Sequence, residues 1–322
     1  MENNKRNYVF MALAKGSEST EGVKVKRYVG VGSVKVLAVN PTKEELEKLY
    51  NTSLDKNPEY VGVTTVGENN HEVPNVRIDF IVKTDPEKNN NIELTTKATY
   101  FVSKAYRFNK DNTKVQVIDK YGRTAWVTKE QAKNHEIPVY SNGPANLDKD
   151  YRPAYVGEEN LTNFLKAYLN IPNVMKYVNK TWVMVDNPEE CEARLDNIES
   201  YFKGDFTELR DAISLQPNNK CKVLFGVKVN DGKEYQDFYK EMVLKNNVTD
   251  YTRLENEVAS RKNSGAYPNT YFVLDGESYL KELCEYEVKP TEFTNNNTND
   301  PFADNTGSTG NNANEDDLPW SF

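Results

Sequence analysis

Between positions 97 and 129 the chain reads KATYFVSKAYRFNKDNTKVQVIDKYGRTAWVTK, and its first part alternates. Even positions carry Ala98, Tyr100, Val102, Tyr106 and Phe108, interrupted by Lys104. Odd positions carry Lys97, Thr99, Ser103, Ala105 and Arg107, with Phe101 among them. A period of two predicts a strand with one wet face. The same period predicts strands over residues 24–40, 60–66, 75–83, 114–119 and 220–230. The first of these changes phase. Val25, Val29 and Val31 are odd, whereas Val34, Val36 and Ala38 are even. A strand swaps faces only through an extra residue or a bend, and the pattern puts that at Gly30-Val31-Gly32-Ser33. Asp231-Gly232 predicts a tight hairpin, and Tyr121-Gly122-Arg123 a tight turn.

Helical periods occupy other parts of the chain. Thr42 and Glu45 have capping-box spacing ahead of Leu46, Leu49 and Tyr50. Leu161, Phe164, Leu165, Tyr168 and Leu169 form one stripe. Asn187 and Pro188 suit the start of a second helix carrying Cys191, Leu195, Ile198 and Phe202. Asp205 opens a third, and a last helix is predicted over residues 251–261. These stripes read as core faces. Strands, then helices, then a hairpin predict an α+β chain, mainly antiparallel β. The order fits an OB-like barrel with an enlarged helical insertion at about 155–216. An unclassified α+β domain fits as well. Residues 1–22 form an N-terminal arm and residues 23–289 the core. Residues 290–322, rich in Asn, Thr, Asp and Gly, form a tail too poor in apolar surface to fold and are predicted to be disordered.

Charge changes the picture. The whole chain carries 41 basic and 49 acidic residues, a formal net charge of −8. Yet residues 97–129 hold eight cations (Lys97, Lys104, Arg107, Lys110, Lys114, Lys120, Arg123 and Lys129) against Asp111 and Asp119 alone. Tyr100, Phe101, Tyr106, Phe108, Tyr121 and Trp126 are interleaved with them. Phosphates want a track of cations and unstacked bases want flat side chains, so the stretch points to single-stranded nucleic acid. On this reading Lys24, Lys26, Lys35, Arg77, Lys97, Arg107, Lys120, Arg123 and Lys222 meet phosphates. Tyr28, Phe101, Tyr121 and Trp126 stack on bases. Two alternatives stand beside it: Phe101 covered by another part of the chain, and Trp126 packed in a core strand. A duplex reader fits poorly, because no predicted helix has a basic face for a major groove.

Few residues offer other chemistry. The two histidines, His71 and His135, pair with no cysteine at metal spacing. No P-loop occurs, and Gly30-Val31-Gly32 lacks both the third glycine and the following helix of a dinucleotide fingerprint. Glu44-Glu45 and Glu189-Glu190 lie in predicted helix first turns, where the helix dipole accounts for them. The expectation is a non-enzyme without metal or cofactor. Cys191, Cys221 and Cys284 are odd in number and far apart, which suits a reducing compartment. No apolar run is long enough to span a bilayer, and Tyr8 to Ala14 is too short for a secretion signal, so a cytoplasmic location is expected.

The last residues are Glu315-Asp316-Asp317-Leu318-Pro319-Trp320-Ser321-Phe322. Acids followed by rings and a free carboxylate suit a ligand for an apolar pocket with a Lys/Arg rim. Asp316-Asp317-Leu318-Pro319-Trp320 resembles the acidic, aromatic-tipped tail of bacterial and phage single-stranded-DNA-binding proteins, whose usual tip is Asp-Asp-aliphatic-Pro-Phe. Here Trp320 replaces the Phe and Ser321-Phe322 extend the end. The stretches VGVGSVKVLAVNP and KVQVIDKYGRTAW are similar to large phage-encoded members of that class. The resemblance implies coating and protection of single-stranded DNA in phage replication, recombination and repair, in the host cytoplasm. It implies a tip (Asp316, Asp317, Leu318, Pro319, Trp320 and Phe322) that recruits a polymerase, primase or helicase, and self-association on DNA is compatible with it. Rival readings are an interaction or virion protein without a nucleic-acid role, and a single-strand annealing protein.

Overall fold

A computed structural model describes residues 27–66, 71–137, 146–272 and 282–286. In chain order the elements are β1 (Arg27–Val39), α1 (Lys43–Tyr50), β2 (Val61–Val66), β3 (His71–Thr84), β4 (Thr95–Tyr106), β5 (Lys114–Ile118) and β6 (Thr124–Thr128). There follow α2 (Lys129–Asn134), β7 (Arg152–Pro153), β8 (Tyr155–Val156), α3 (Glu158–Tyr168), β9 (Met175–Val178), β10 (Thr181–Met184), α4 (Ile198–Tyr201) and α5 (Thr207–Ser214). The chain continues through β11 (Cys221–Asn230), β12 (Lys233–Phe238), β13 (Leu244–Lys245), α6 (Thr252–Asn263), β14 (Thr270–Tyr271) and β15 (Cys284–Tyr286). The pairings described between these strands are antiparallel, so the class is mainly antiparallel β with a few helices.

The chain divides into two compact units. The first takes the described parts of Met1–Pro58, Asp79–Ala98 and Ile213–Asn305. Here β1 lies between β11 and the end of β3. Both faces of β1 are buried from Tyr28 to Val34, which is why its apolar residues do not keep to one parity. The register with β11 runs without a break from Gly30 to Val34. The register shift against β3 comes later, between Val36 and Ala38, leaving Leu37 as the extra, exposed residue. The predicted break at the glycines is therefore displaced. Gly30 does adopt φ 113. Gly32 is needed for close approach: a Cβ there would lie 2.9 Å from the Phe225 ring. Asp231 and Gly232, both at positive φ, turn β11 into β12 as the sequence predicts. The capping box of α1 is also present, with Thr42 Oγ1 accepting from Glu45 N and Glu45 Oε2 from Thr42 N.

The second unit takes the described parts of Glu59–Ile78 and Thr99–Ala212. β5 lies between β6 and β7 in a three-stranded sheet. One face of this sheet buries Val115, Val117 and Val127 with Phe108, Leu147 and Tyr151. Near α3, Phe164 packs 5.3 Å from Tyr100. Two features of the predicted helical insertion differ. Residues 188–202 do not form one helix: a 3-10 turn over Pro188–Cys191 and the short α4 are separated by extended chain. The cause is that Ala193 N and Arg194 N both donate to Lys120 O, at 2.8 and 3.1 Å, so the backbone bonds elsewhere instead of continuing a helical ladder. The hairpin β9–β10, turning at Asn179-Lys180 with both residues at positive φ, falls inside a block read as helical.

Candidate nucleic-acid interface

Residues 114–128 of the second unit carry the most open aromatic site of the predicted stretch. Alternation along β5 and β6 turns Val115, Val117 and Val127 to the core. It leaves Lys114, Gln116, Thr124, Trp126 and Thr128 on the opposite face. Trp126 lies across from Gln116 in the ladder and is 37% exposed. The Arg107 guanidinium stands over the Trp126 ring, 5.6 Å from its centroid, a cation–π distance. Behind the pair, Glu159 organises the polar groups. Its Oε2 accepts from Gln116 Nε2 at 2.7 Å and from Arg107 Nη1 at 3.4 Å. Its Oε1 accepts from Thr124 Oγ1 at 2.8 Å. Arg107 is thus held in place by a carboxylate while its side chain stays 36% exposed. Lys110 and Lys114, which the predicted site omitted, are exposed and form no ion pair among the described residues. Alternation placed Lys114 beside Gln116 and Trp126, so that cation was legible in the sequence.

Five residues before Trp126 the same combination of ring and cations does something else. Tyr121 is only 4% exposed and packs with Val174, Met175 and Cys191. Lys120 and Arg123 flank its ring at 5.2 and 5.4 Å. Both are engaged by carboxylates. Arg123 pairs with the fully buried Asp119 at 2.6 Å, and Lys120 reaches Glu192 at 3.6 Å and Asp148 at 3.9 Å. Burial pushes the Asp148 carboxyl up, but hydrogen bonds from Asp150 and the charges of Lys120 and Arg123 outweigh it and hold it below the usual aspartate range. Tyr121 therefore offers no face to a base, and its assignment as a stacking ring is corrected. The reason is that a segment fifty residues later, around Val174, closes over it.

The other predicted positions are dispersed. Phe101 is half-buried on β4. Arg77 stands over Tyr60 at 5.3 Å. In the first unit, Tyr28 is 3% exposed, which overturns its placement on a wet face. Its backbone exchanges hydrogen bonds with the Gln236 side chain, and β15 pairs alongside it. Lys35 lies opposite Lys83. Lys97 pairs with buried Asp79 at 3.5 Å. Lys222 donates to Val248 O and Tyr251 Oη at 2.7 and 2.9 Å. Lys24, Lys26 and the whole tail, with Asp316, Asp317, Leu318, Pro319, Trp320 and Phe322, lie outside the described residues. Of the predicted set, the structure brings Arg107 to Trp126, and Lys120 and Arg123 to Tyr121.

Among the described residues no group of three or more His, Cys, Asp or Glu side chains is placed to hold a metal ion. No described helix is long and apolar enough to cross a membrane. Comparison with known protein families, with curated proteins and with solved structures gave no match for this chain.

Proposed function

We propose that this chain is a non-enzymatic single-stranded-DNA-binding protein of phage replication, recombination and repair, acting in the host cytoplasm. The observation that carries the proposal is the exposed Trp126 ring under the Arg107 guanidinium, with Lys110 and Lys114 close by in the chain and in no ion pair among the described residues. A flat ring and cations on one face suit a strand whose bases are unstacked and whose phosphates are charged. The antiparallel sheets are compatible with an OB-like scaffold, which belongs to the same proposal. The acidic tip at Asp316-Asp317-Leu318-Pro319-Trp320 supports recruitment of a replication protein, through rings in a pocket and carboxylates on a basic rim. Binding tolerates sequence, because every base has a face to stack, and weakens steeply with salt through counterion release.

One observation favours a second reading, an interaction or virion protein without a nucleic-acid role. Lys97, Arg107, Lys120 and Arg123 each meet a carboxylate of the protein itself. Titration with oligo(dT) at low salt separates the two. Binding that shifts tryptophan emission and electrophoretic mobility, and that salt reverses, supports the proposal. Unchanged emission and mobility sink it. Mixing complementary strands then tells simple coating from annealing.

A further inference from the structure

The hairpin β9–β10 stands out from the rest of the second unit. Its ladder pairs Trp182 with Tyr177 and Met184 with Met175. These four side chains share one face, because cross-strand partners and positions two apart point the same way. Met175 is buried at the root, yet Tyr177 is 61% and Trp182 42% exposed. The two rings lie 5.2 Å apart, inclined by 53°. On the opposite face Val178 and Val183 are exposed too. A two-stranded ribbon is marginal in water on its own, and among the described residues this one is anchored at its root. There Val174 and Met175 pack with Tyr121 and Cys191, and Val185 N donates to Val174 O at 2.9 Å. Exposing two rings and a thioether on an anchored ribbon costs solubility, and such patches mark binding surfaces.

Charge selects the occupant. From Val174 to Val185 the only ionisable side chains that carry charge at neutral pH are Lys176 and Lys180. The ribbon is therefore wholly cationic between its two anchored ends, which calls for an anionic partner. Lys180 sits in the turn itself at φ 62, so its side chain is carried at the tip. Lys176 reaches Asp186 at 3.2 Å, and that carboxylate is almost fully exposed, so the pair is weak and readily exchanged. An acidic peptide with aromatic side chains needs an apolar pocket to bury them, and the ribbon is exposed on both faces beyond its root. An unpaired base needs only a flat ring to stack on.

We infer that the β9–β10 ribbon is a second stacking platform for single-stranded nucleic acid, with Trp182 and Tyr177 receiving bases and Lys180 meeting the backbone phosphates. This rests on the reading of the chain as a single-strand binder, and it extends the contact to a place that reading does not use. Tyr121, buried between the basic turn and the foot of the ribbon, is the ring that seats the platform.

The test uses the full chain with Trp126 and Trp320 both changed to Phe, so that Trp182 alone reports. Saturating oligo(dT) is expected to quench this emission. In the otherwise native chain, Trp182→Ala is expected to weaken oligo(dT) binding about tenfold, in line with the loss of one stacked base. Trp182→Phe, which keeps a ring on the ribbon, is expected to recover most of that loss and guards against a merely misfolded hairpin. If the native chain binds oligo(dT) with a Trp126 signal while Trp182 emission stays constant, the platform is overturned and the single-strand reading stands. If the native chain does not bind at all, the single-strand reading fails and the platform with it. If deleting residues 290–322 shifts Trp182 emission before any DNA is added, the ribbon is the seat of the tail and the inference is overturned.

Discussion

Tyr121 and Trp126 are five residues apart, each is a ring flanked by cations, and they have opposite fates. Tyr121 is enclosed, with Lys120 and Arg123 on its ring and Asp119, Asp148 and Glu192 neutralising them. Trp126 is open, with Arg107 on its ring and Lys114 on the same face, exposed and in no ion pair among the described residues. The difference lies in what arrives from elsewhere in the chain. A buried carboxylate and an apolar segment convert ring and cations into a structural joint. Without the apolar cover the same chemistry stays at the surface, where a charged, flat ligand is its natural complement. Local composition alone does not separate the two.

The largest expected effect is on the enclosed ring. Tyr121→Ala removes a buried aromatic side chain from the cluster with Val174, Met175 and Cys191, so a loss of about 3–5 kcal/mol of stability is expected in denaturant titration. A comparable loss, about 3–5 kcal/mol, is expected for Asp119→Ala, because it leaves Arg123 without its buried partner. Stability unchanged by both substitutions would mean that the turn is not a joint. For the open ring the effects reverse: Trp126→Ala should cost about 1–3 kcal/mol of oligo(dT) binding and under about 1 kcal/mol of stability, as surface substitutions do. Smaller still is Lys114→Ala, which should lower the slope of log affinity against log salt by about 0.7 if one phosphate contact is lost.

The smallest effect concerns pH. Burial pushes the Glu199 carboxyl up, but hydrogen bonds from Lys104 Nζ and Tyr155 Oη, with the charge of Lys104, outweigh it and hold its pKa below the ordinary 4.5. A depressed carboxylate contributes stability that is present above its unfolded pKa and disappears as pH falls through the folded one. The stability gap between native chain and Glu199→Gln should therefore be present at neutral pH and shrink as pH drops below about 4.5. A gap that widens on acidification would contradict the assignment.

How far the sequence discloses this follows from the range of each interaction. The alternation of β3 to β6, the Asp231-Gly232 turn and the Thr42–Glu45 cap were legible because each is written within a few residues. Lys114 and Trp126 on one wet face were legible for the same reason, since Thr124 and Thr128 share that parity. Tyr28 and Tyr121 were not. The backbone of Tyr28 is engaged by β15 and Gln236 and the ring of Tyr121 is covered by Val174 to Cys191, and these partners come from distant positions. The β9–β10 ribbon was hidden because its turn is Asn179-Lys180 rather than Asn-Gly, and because the helical stripes on either side suggested a continuous helical block.

The most direct measurement is oligo(dT) affinity at low salt for the native chain, Trp126→Ala and Tyr121→Phe. The account predicts tight binding by the native chain, a loss of about five- to 150-fold in Trp126→Ala, and native affinity in Tyr121→Phe, which keeps the buried ring. Full affinity in Trp126→Ala, or no binding by the native chain, would contradict it.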